Sequence, residues 1–164
     1  LAGIANPSPE ALNCQLQINA DFFIPIDETS IPTGEILKVE GTPFDFRTPH
    51  TVGERIHDTS NQQIVNGTGY DHCYVLNKHE PGELSFAVKC TEPITTEPGV
   101  QFYSSNWLNG FSGSHGATFG KYSALCFEAQ HFPDSPNRPY FPSVILKPGE
   151  LYTQKTIYKF STED

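Results

Sequence analysis

Apolar and polar side chains alternate without interruption from residue 12 to residue 22. Leu12, Cys14, Leu16, Ile18, Ala20 and Phe22 fall on one side, and Asn13, Gln15, Gln17, Asn19 and Asp21 on the other. Successive side chains of a strand point to opposite faces, so this stretch predicts one half-buried antiparallel strand with a wet outer face. Leu84, Phe86 and Val88 repeat the pattern over a shorter span. Towards the end, Tyr152, Gln154, Thr156, Tyr158 and Phe160 alternate with Leu151, Thr153, Lys155, Ile157 and Lys159, with both faces mixed. No stretch of a dozen residues follows the helical period of about 3.6. Residues 52–57 support one turn of helix and no more.

Turns punctuate these strands. The chain holds 13 Gly and 14 Pro, and Pro32-Thr33-Gly34, Glu80-Pro81-Gly82, Glu97-Pro98-Gly99 and Lys147-Pro148-Gly149 break it at intervals. Many strands separated by such turns predict an all-β sandwich or barrel. No linker, repeat or low-complexity tract marks an internal boundary, so 1–164 reads as one domain. Segments 108–121 and 130–142 are long for hairpin connections, and long ordered loops on a β scaffold are where binding groups sit.

Composition narrows the function. The 164 residues suffice for a substantial core, and 37% hydrophobic with 18% charged side chains is a globular balance. A net charge of −9 with no Lys/Arg cluster argues against nucleic acid and anionic membrane surfaces, and it suits a neutral ligand. No apolar run approaches the ~20 residues needed to span a bilayer. Cys14, Cys73, Cys90 and Cys126 lack zinc-ligand spacing, so no metal site is expected. Cys14, Cys73 and Cys126 sit in strand-like runs and are expected to behave as small buried apolar groups. The scattered thiols make no disulfide framework, which favours a reducing compartment and a cytoplasmic location. Asn66-Gly67-Thr68 matches a glycosylation sequon but is read as a turn. Leu1-Ala2-Gly3 has the features neither of a natural start nor of a signal peptide, so the sequence is expected to be a piece of something longer.

Three segments carry groups that could do chemistry. In 122–130, Tyr122, Ala124, Cys126 and Glu128 share one strand face, with Ser123, Leu125, Phe127 and Ala129 on the other. A carboxylate in an otherwise apolar strand is costly unless paired or solvated, and such surroundings suit general-base work. An edge-strand Glu facing water is the plain alternative. Asp71 opens an apolar strand just after a turn, at the mouth of any groove, where a carboxylate can accept hydrogen bonds from vicinal hydroxyls. His72 then points to the opposite face and is expected to pack in the core. Residues 100–107 mix Phe102, Tyr103 and Trp107 with Gln101 and Asn106. Aromatic faces pack on the C–H faces of sugars, and amides serve hydroxyls as donor and acceptor, though ordinary strand packing would look the same. His50, His57, His79, His115 and His131 are scattered in or near turns, with His131 alone close enough to Glu128 to fold back over it. No phosphate loop and no GxSxG elbow occurs. The residues by themselves specify a β-rich domain able to bind a neutral polar ligand.

Several segments together resemble the aldose 1-epimerase (galactose mutarotase) family, over nearly the whole chain. They are Ile26-Asp27-Glu28-Thr29-Ser30-Ile31-Pro32-Thr33-Gly34-Glu35, Gly41-Thr42-Pro43-Phe44-Asp45-Phe46-Arg47 and Gly69-Tyr70-Asp71-His72. Thr95-Thr96-Glu97-Pro98-Gly99-Val100-Gln101-Phe102-Tyr103, Leu125-Cys126-Phe127-Glu128-Ala129-Gln130 with Pro133-Asp134 and Asn137, and Leu146-Lys147-Pro148-Gly149-Glu150 follow in the family order. The resemblance implies a large antiparallel β-sandwich with an open sugar groove, here its C-terminal part. It also implies interconversion of the α and β anomers of a free aldose such as galactose or glucose, without metal or cofactor. Residue by residue, it puts Glu128 on the family's general base, Asp71 on a carboxylate that binds sugar hydroxyls and Gln101 on a substrate-contacting amide.

The same resemblance places the general acid elsewhere. In the family it is a histidine in an Asn-His-x-Tyr-Phe-Asn-like motif that ends close to where this sequence begins, and none of the six histidines here matches it. That acid, a second histidine and an arginine are expected upstream, and the N-terminal half of the enzyme is the expected partner, needed for activity and to cover an apolar face. Residues 89–95 are also a strand's length shorter than the family pattern, which puts the local sheet pairing in question. Two rivals remain: a non-catalytic carbohydrate-binding protein of the same fold, and a hexose-6-phosphate 1-epimerase. The latter needs a basic cluster that the dispersed Arg47, Arg55 and Arg138 do not provide.

Overall fold

In the computed structural model, which describes residues 9–77, 85–88 and 91–162, the alternating stretch at 12–22 is divided between two sheets. Leu12 belongs to a 3-10 turn, Pro9–Asn13, and the first strand, β1, is only Gln15–Ile18. The Ala20 N–H then donates to the Ile18 carbonyl (2.9 Å), a three-residue turn that ends the strand. The chain resumes as β2, Phe22–Ile24, in the other sheet. A turn of that kind shifts the phase of the alternation, so Phe23 enters the core and Phe22 faces out, against the single uninterrupted strand the pattern predicted.

The remaining strands are β3 (Leu37–Lys38), β4 (His50–Thr51), β5 (Asp71–Val75), β6 (Phe86–Val88), β7 (Thr91–Thr95) and β8 (Gly99–Tyr103). They are followed by β9 (Phe111–Ser112), β10 (Thr118–Phe119), β11 (Cys126–Gln130) and β12 (Thr156–Phe160). Every pairing among the described residues is antiparallel. One sheet runs β12-β7-β6-β1-β4, the other β11-β8-β5-β2-β3, and β9 and β10 form a small hairpin. The all-β, antiparallel class predicted from the turns and strands is what the chain adopts. β7 is in place despite the short 89–95 connection, paired with β12 along its length and with β6 through Val88 and Thr91.

Helix is scarce. Residues 52–57 give the expected short turn, a 3-10 segment at Val52–Glu54. The six-residue α1, Gln62–Gly67, was hidden from the pattern because a stretch so short shows no period. Its caps are legible in hindsight. Asn61 accepts the Gln63 N–H at the start, and Thr68 closes it in the left-handed conformation, so the sequon is the helix end rather than a free turn. The expectations for Leu1-Ala2-Gly3, His79, Glu80-Pro81-Gly82, Leu84, Lys89 and Cys90 lie outside the described residues.

The two five-stranded sheets face each other across one core. Leu16, Ile18 and Phe86 enter it from the first sheet, and Phe23, Tyr74, Val100 and Phe102 from the second. Phe127 is the bridge between layers, stacked on Phe102 at 5.0 Å and on Phe86 at 5.1 Å. Packing of these rings holds β5, β8 and the edge strand β11 flat against the core and turns their alternate side chains outward.

Candidate active site

The outward side chains of β5, β8 and β11 form the floor of a groove. Strand register sets Gln101 opposite both Cys73 and Glu128, making one row across three strands. The neighbouring row is Asp71, Tyr103 and Cys126. The period of two that turns His72, Phe102 and Phe127 toward the core thus brings together Asp71, Gln101 and Glu128, from positions far apart in the chain.

Gln101 Nε2 donates to Asp71 Oδ1 at 2.8 Å, across the diagonal between the rows. Burial holds the Asp71 carboxyl above the usual carboxylate range, and the Gln101 hydrogen bond opposes that rise in part. Glu128 is exposed, on the outermost strand of its sheet, and stands in water at the groove edge rather than in an apolar enclosure. The groove has a volume of about 340 Å³, within the size range of small-molecule sites. Its lining includes two carboxylates, two amides and no Lys or Arg among the described residues.

One wall is a loop of residues 24–32, through Ile24, Ile26, Ser30 and Pro32. Asp27 folds it: its Oδ1 accepts the Thr29 N–H (2.8 Å), the Thr29 hydroxyl (2.7 Å) and the Ile31 N–H (3.0 Å). Ile26 pairs with Pro32 at its base. Just beyond, Gly34 has φ +92°, and the Arg138 guanidinium packs where a Cβ would be. Asp134 holds that Arg138 (2.8 Å), and the Tyr140 hydroxyl donates to the Gly34 carbonyl (2.8 Å). The Pro32-Thr33-Gly34 and Pro133–Asn137 motifs therefore meet in space. The opposite wall is Tyr103 and Trp107. The Trp107 N–H donates to the Tyr103 hydroxyl (3.0 Å), and the indole is 62% exposed at the groove mouth.

Segment 100–107 thus divides three ways. Gln101, Tyr103 and Trp107 face the groove and Phe102 the core, while Asn106 is buried, its Nδ2 donating to Gly67 O and Tyr70 O. His72 packs on Phe44 (4.5 Å between rings), fully buried, with its pKa pushed down to about 3, so it is neutral at ordinary pH. His131 does not line the groove; its Nδ1 lies 2.7 Å from the buried Glu97 carboxylate. The expected burial holds for Cys73, whose thiol is pushed up to about 12, but Cys14 is only partly buried and Cys126 is exposed. Cys126 shares the Glu128 face of β11, which looks onto the groove instead of the core. Sequence alone missed the 24–32 wall, whose signal was Asp27 two and four residues before its turn partners. No three or more His, Cys, Asp or Glu among the described residues are grouped to hold a metal ion.

An Asp71→Asn substitution separates fold from function here. A raised carboxyl pKa means that ionisation costs folded-state stability. The relative benefit of the protonated form is full below the ordinary value of 3.8 and is lost as pH rises through the raised value. Asparagine carries no such cost and still accepts from Gln101. The variant is expected to melt higher than the parent at pH 7, with the difference closing on acidification below 3.8, as thermal melts at several pH values will read.

Comparison with known proteins adds an independent line. The aldose 1-epimerase family profile matches residues 4–159. Human galactose mutarotase is 42% identical over 168 residues, covering 98% of this chain and 47% of that protein. The aldose 1-epimerase of Escherichia coli (strain K12) is 34% identical over 160 residues, covering 92% and 46%. The crystal structure of a GalM/aldose epimerase homologue from C. elegans superposes with a TM-score of 0.85 at 28% identity, covering 97% of this chain and 49% of that one. The chain spans about half the length of the curated relatives it matches.

Proposed function

The chain belongs to the aldose 1-epimerase family, and we propose that it is the C-terminal portion of an enzyme that interconverts the α and β anomers of free hexoses. The observation that carries this is the convergence of Asp71, Gln101 and Glu128, from three neighbouring strands, on one groove free of basic residues among those described.

Glu128 acts as general base and takes the proton from the anomeric hydroxyl. As the electron pair left on O1 by the broken O1–H bond forms the carbonyl π bond, the bond from C1 to the ring oxygen breaks with its pair and that oxygen takes up a proton from a general acid. Rotation about C1–C2 and the reverse transfers close the ring on the other face, so no atom is gained or lost. Asp71 accepts hydrogen bonds from sugar hydroxyls, its Oδ1 fixed by Gln101, and the Gln101 amide offers its remaining capacity to the sugar. A carboxylate with a positioned acid on one small substrate is sound general acid–base chemistry.

The general acid belongs, on this proposal, to the remaining half of the fold, which is also the partner of the apolar surface at β12. Ile157, Tyr158 and Phe160 are all exposed on that outermost strand, and unpaired apolar edges of this kind are a liability unless covered. Free thiols at Cys73 and Cys126 support a reducing, cytoplasmic setting. No helix among the described residues is long and apolar enough to cross a membrane.

Polarimetry tests the proposal. The full-length protein is expected to speed the decay of optical rotation of freshly dissolved α-galactose or α-glucose. Sugar binding without that acceleration would point instead to a carbohydrate-binding protein. Acceleration confined to a phosphorylated hexose would require basic groups from outside the described groove.

A further inference from the structure

Behind the groove, α1 and β5 are joined by side chains that no catalytic step uses. Gln63 Nε2 donates to the Ile26 carbonyl at 3.0 Å, while its Oε1 accepts the Ile26 N–H at 2.8 Å. The same Oε1 lies 3.2 Å from His72 Nε2. An acceptor oxygen there requires the proton of neutral His72 on Nε2, which leaves Nδ1 bare. Nδ1 is where the Asp71 N–H donates, at 3.1 Å. Each donor of the relay then faces an acceptor, with Gln63 Oε1 accepting from both the Ile26 N–H and His72 Nε2. The ring is clamped between Phe44 and the helix, where a Cβ on Gly67 would come within 3.0 Å of His72 Cε1. Asn66 Nδ2 adds a second bond to the Ile26 carbonyl at 2.7 Å.

We propose that Gln63 and His72 are positioning residues of the sugar site: through one half-buried relay they fix the backbone of Asp71 and the Ile26–Pro32 wall relative to each other. This rests on the functional assignment above and extends it to two side chains that touch no substrate. Ile26 and Asp71 both line the groove, from opposite ends of the relay. Their separation sets its width, and small displacements of binding groups are costly for a small, polar substrate. Glu128, three strands away from β2 in the sheet order, is untouched by the relay.

The test uses the full-length protein with Gln63→Leu, which removes all three bonds of the amide, and Gln63→Glu, which keeps the acceptor oxygen and removes the donor. Thermal melting establishes that each is folded. Gln63→Leu is expected to raise KM for galactose roughly fivefold or more with kcat within about twofold, since binding geometry changes and proton transfer does not. Gln63→Glu is expected to raise KM less. Hydrogen exchange at residues 24–33, read by mass spectrometry, is expected to quicken in the same order. A folded Gln63→Leu with unchanged KM overturns the proposal, as does a loss confined to kcat or unaltered exchange in the wall. If the parent protein neither speeds anomer exchange nor binds sugar, it is the functional assignment that falls, a result distinct from any of these.

Discussion

Replacing Glu128 by Gln in the full-length protein is expected to lower kcat by roughly 10²–10⁴-fold, the range that a positioned general base contributes. The substitution is nearly isosteric. Glu128 is exposed on an outermost strand, and none of its packing is needed for the core, so melting temperature should stay close to the parent's. KM is expected to change little, because the amide still offers an oxygen to a sugar hydroxyl; only the capacity to take a proton goes. Equal loss in kcat and kcat/KM is the signature of an interaction made in the transition state alone. Activity within about threefold of the parent would remove Glu128 from the role of base while leaving the fold assignment intact.

Much of this site was legible along the chain. Strand alternation placed Glu128 and Cys126 together on one face of 122–130, and the turn before Asp71 placed it at a strand end. Alternation also sent His72 to the opposite side, where it is buried. What alternation could not supply was register across strands. Nothing in 71–75, 99–103 or 126–130 taken singly says that Gln101 stands opposite Glu128, or that its amide reaches Asp71. It also failed wherever the backbone leaves the strand for a residue or two. The turn at 18–20 reverses the phase for Phe22 and Phe23, and Tyr122 takes φ +62°, so β11 begins only at Cys126. Burial misled for Cys126 because its outward face meets a groove, not a second layer. The relay through Gln63 was invisible for a further reason: it joins a six-residue helix to a loop 37 positions upstream, a contact with no local trace.

Phe102→Ala is expected to cost about 3–5 kcal/mol, the range for truncating a buried aromatic side chain. Phe102 is fully buried, stacked on Phe127 at 5.0 Å and on Tyr70 at 5.2 Å, with the Phe46 ring edge-on at 6.1 Å. Those neighbours are themselves fixed by rings and backbone, so collapse into the cavity is limited and the penalty should lie toward the upper end. Against a typical total of about 5–15 kcal/mol for a domain, the denaturation midpoint should fall steeply with the slope unchanged. Loss of the ring also reaches the groove, because Phe102 lies between Gln101 and Tyr103 on β8 and supports Phe127 beside Glu128. Phe160→Ala supplies the contrast. That ring is 74% exposed on β12, and an uncovered position costs within about 0.5 kcal/mol. If the other half of the fold covers β12 as proposed, the full-length protein will instead lose about 2 kcal/mol or more at Phe160, approaching the buried class. A cost near zero there would leave the apolar edge without its proposed partner, while the penalty at Phe102 should be large in either case.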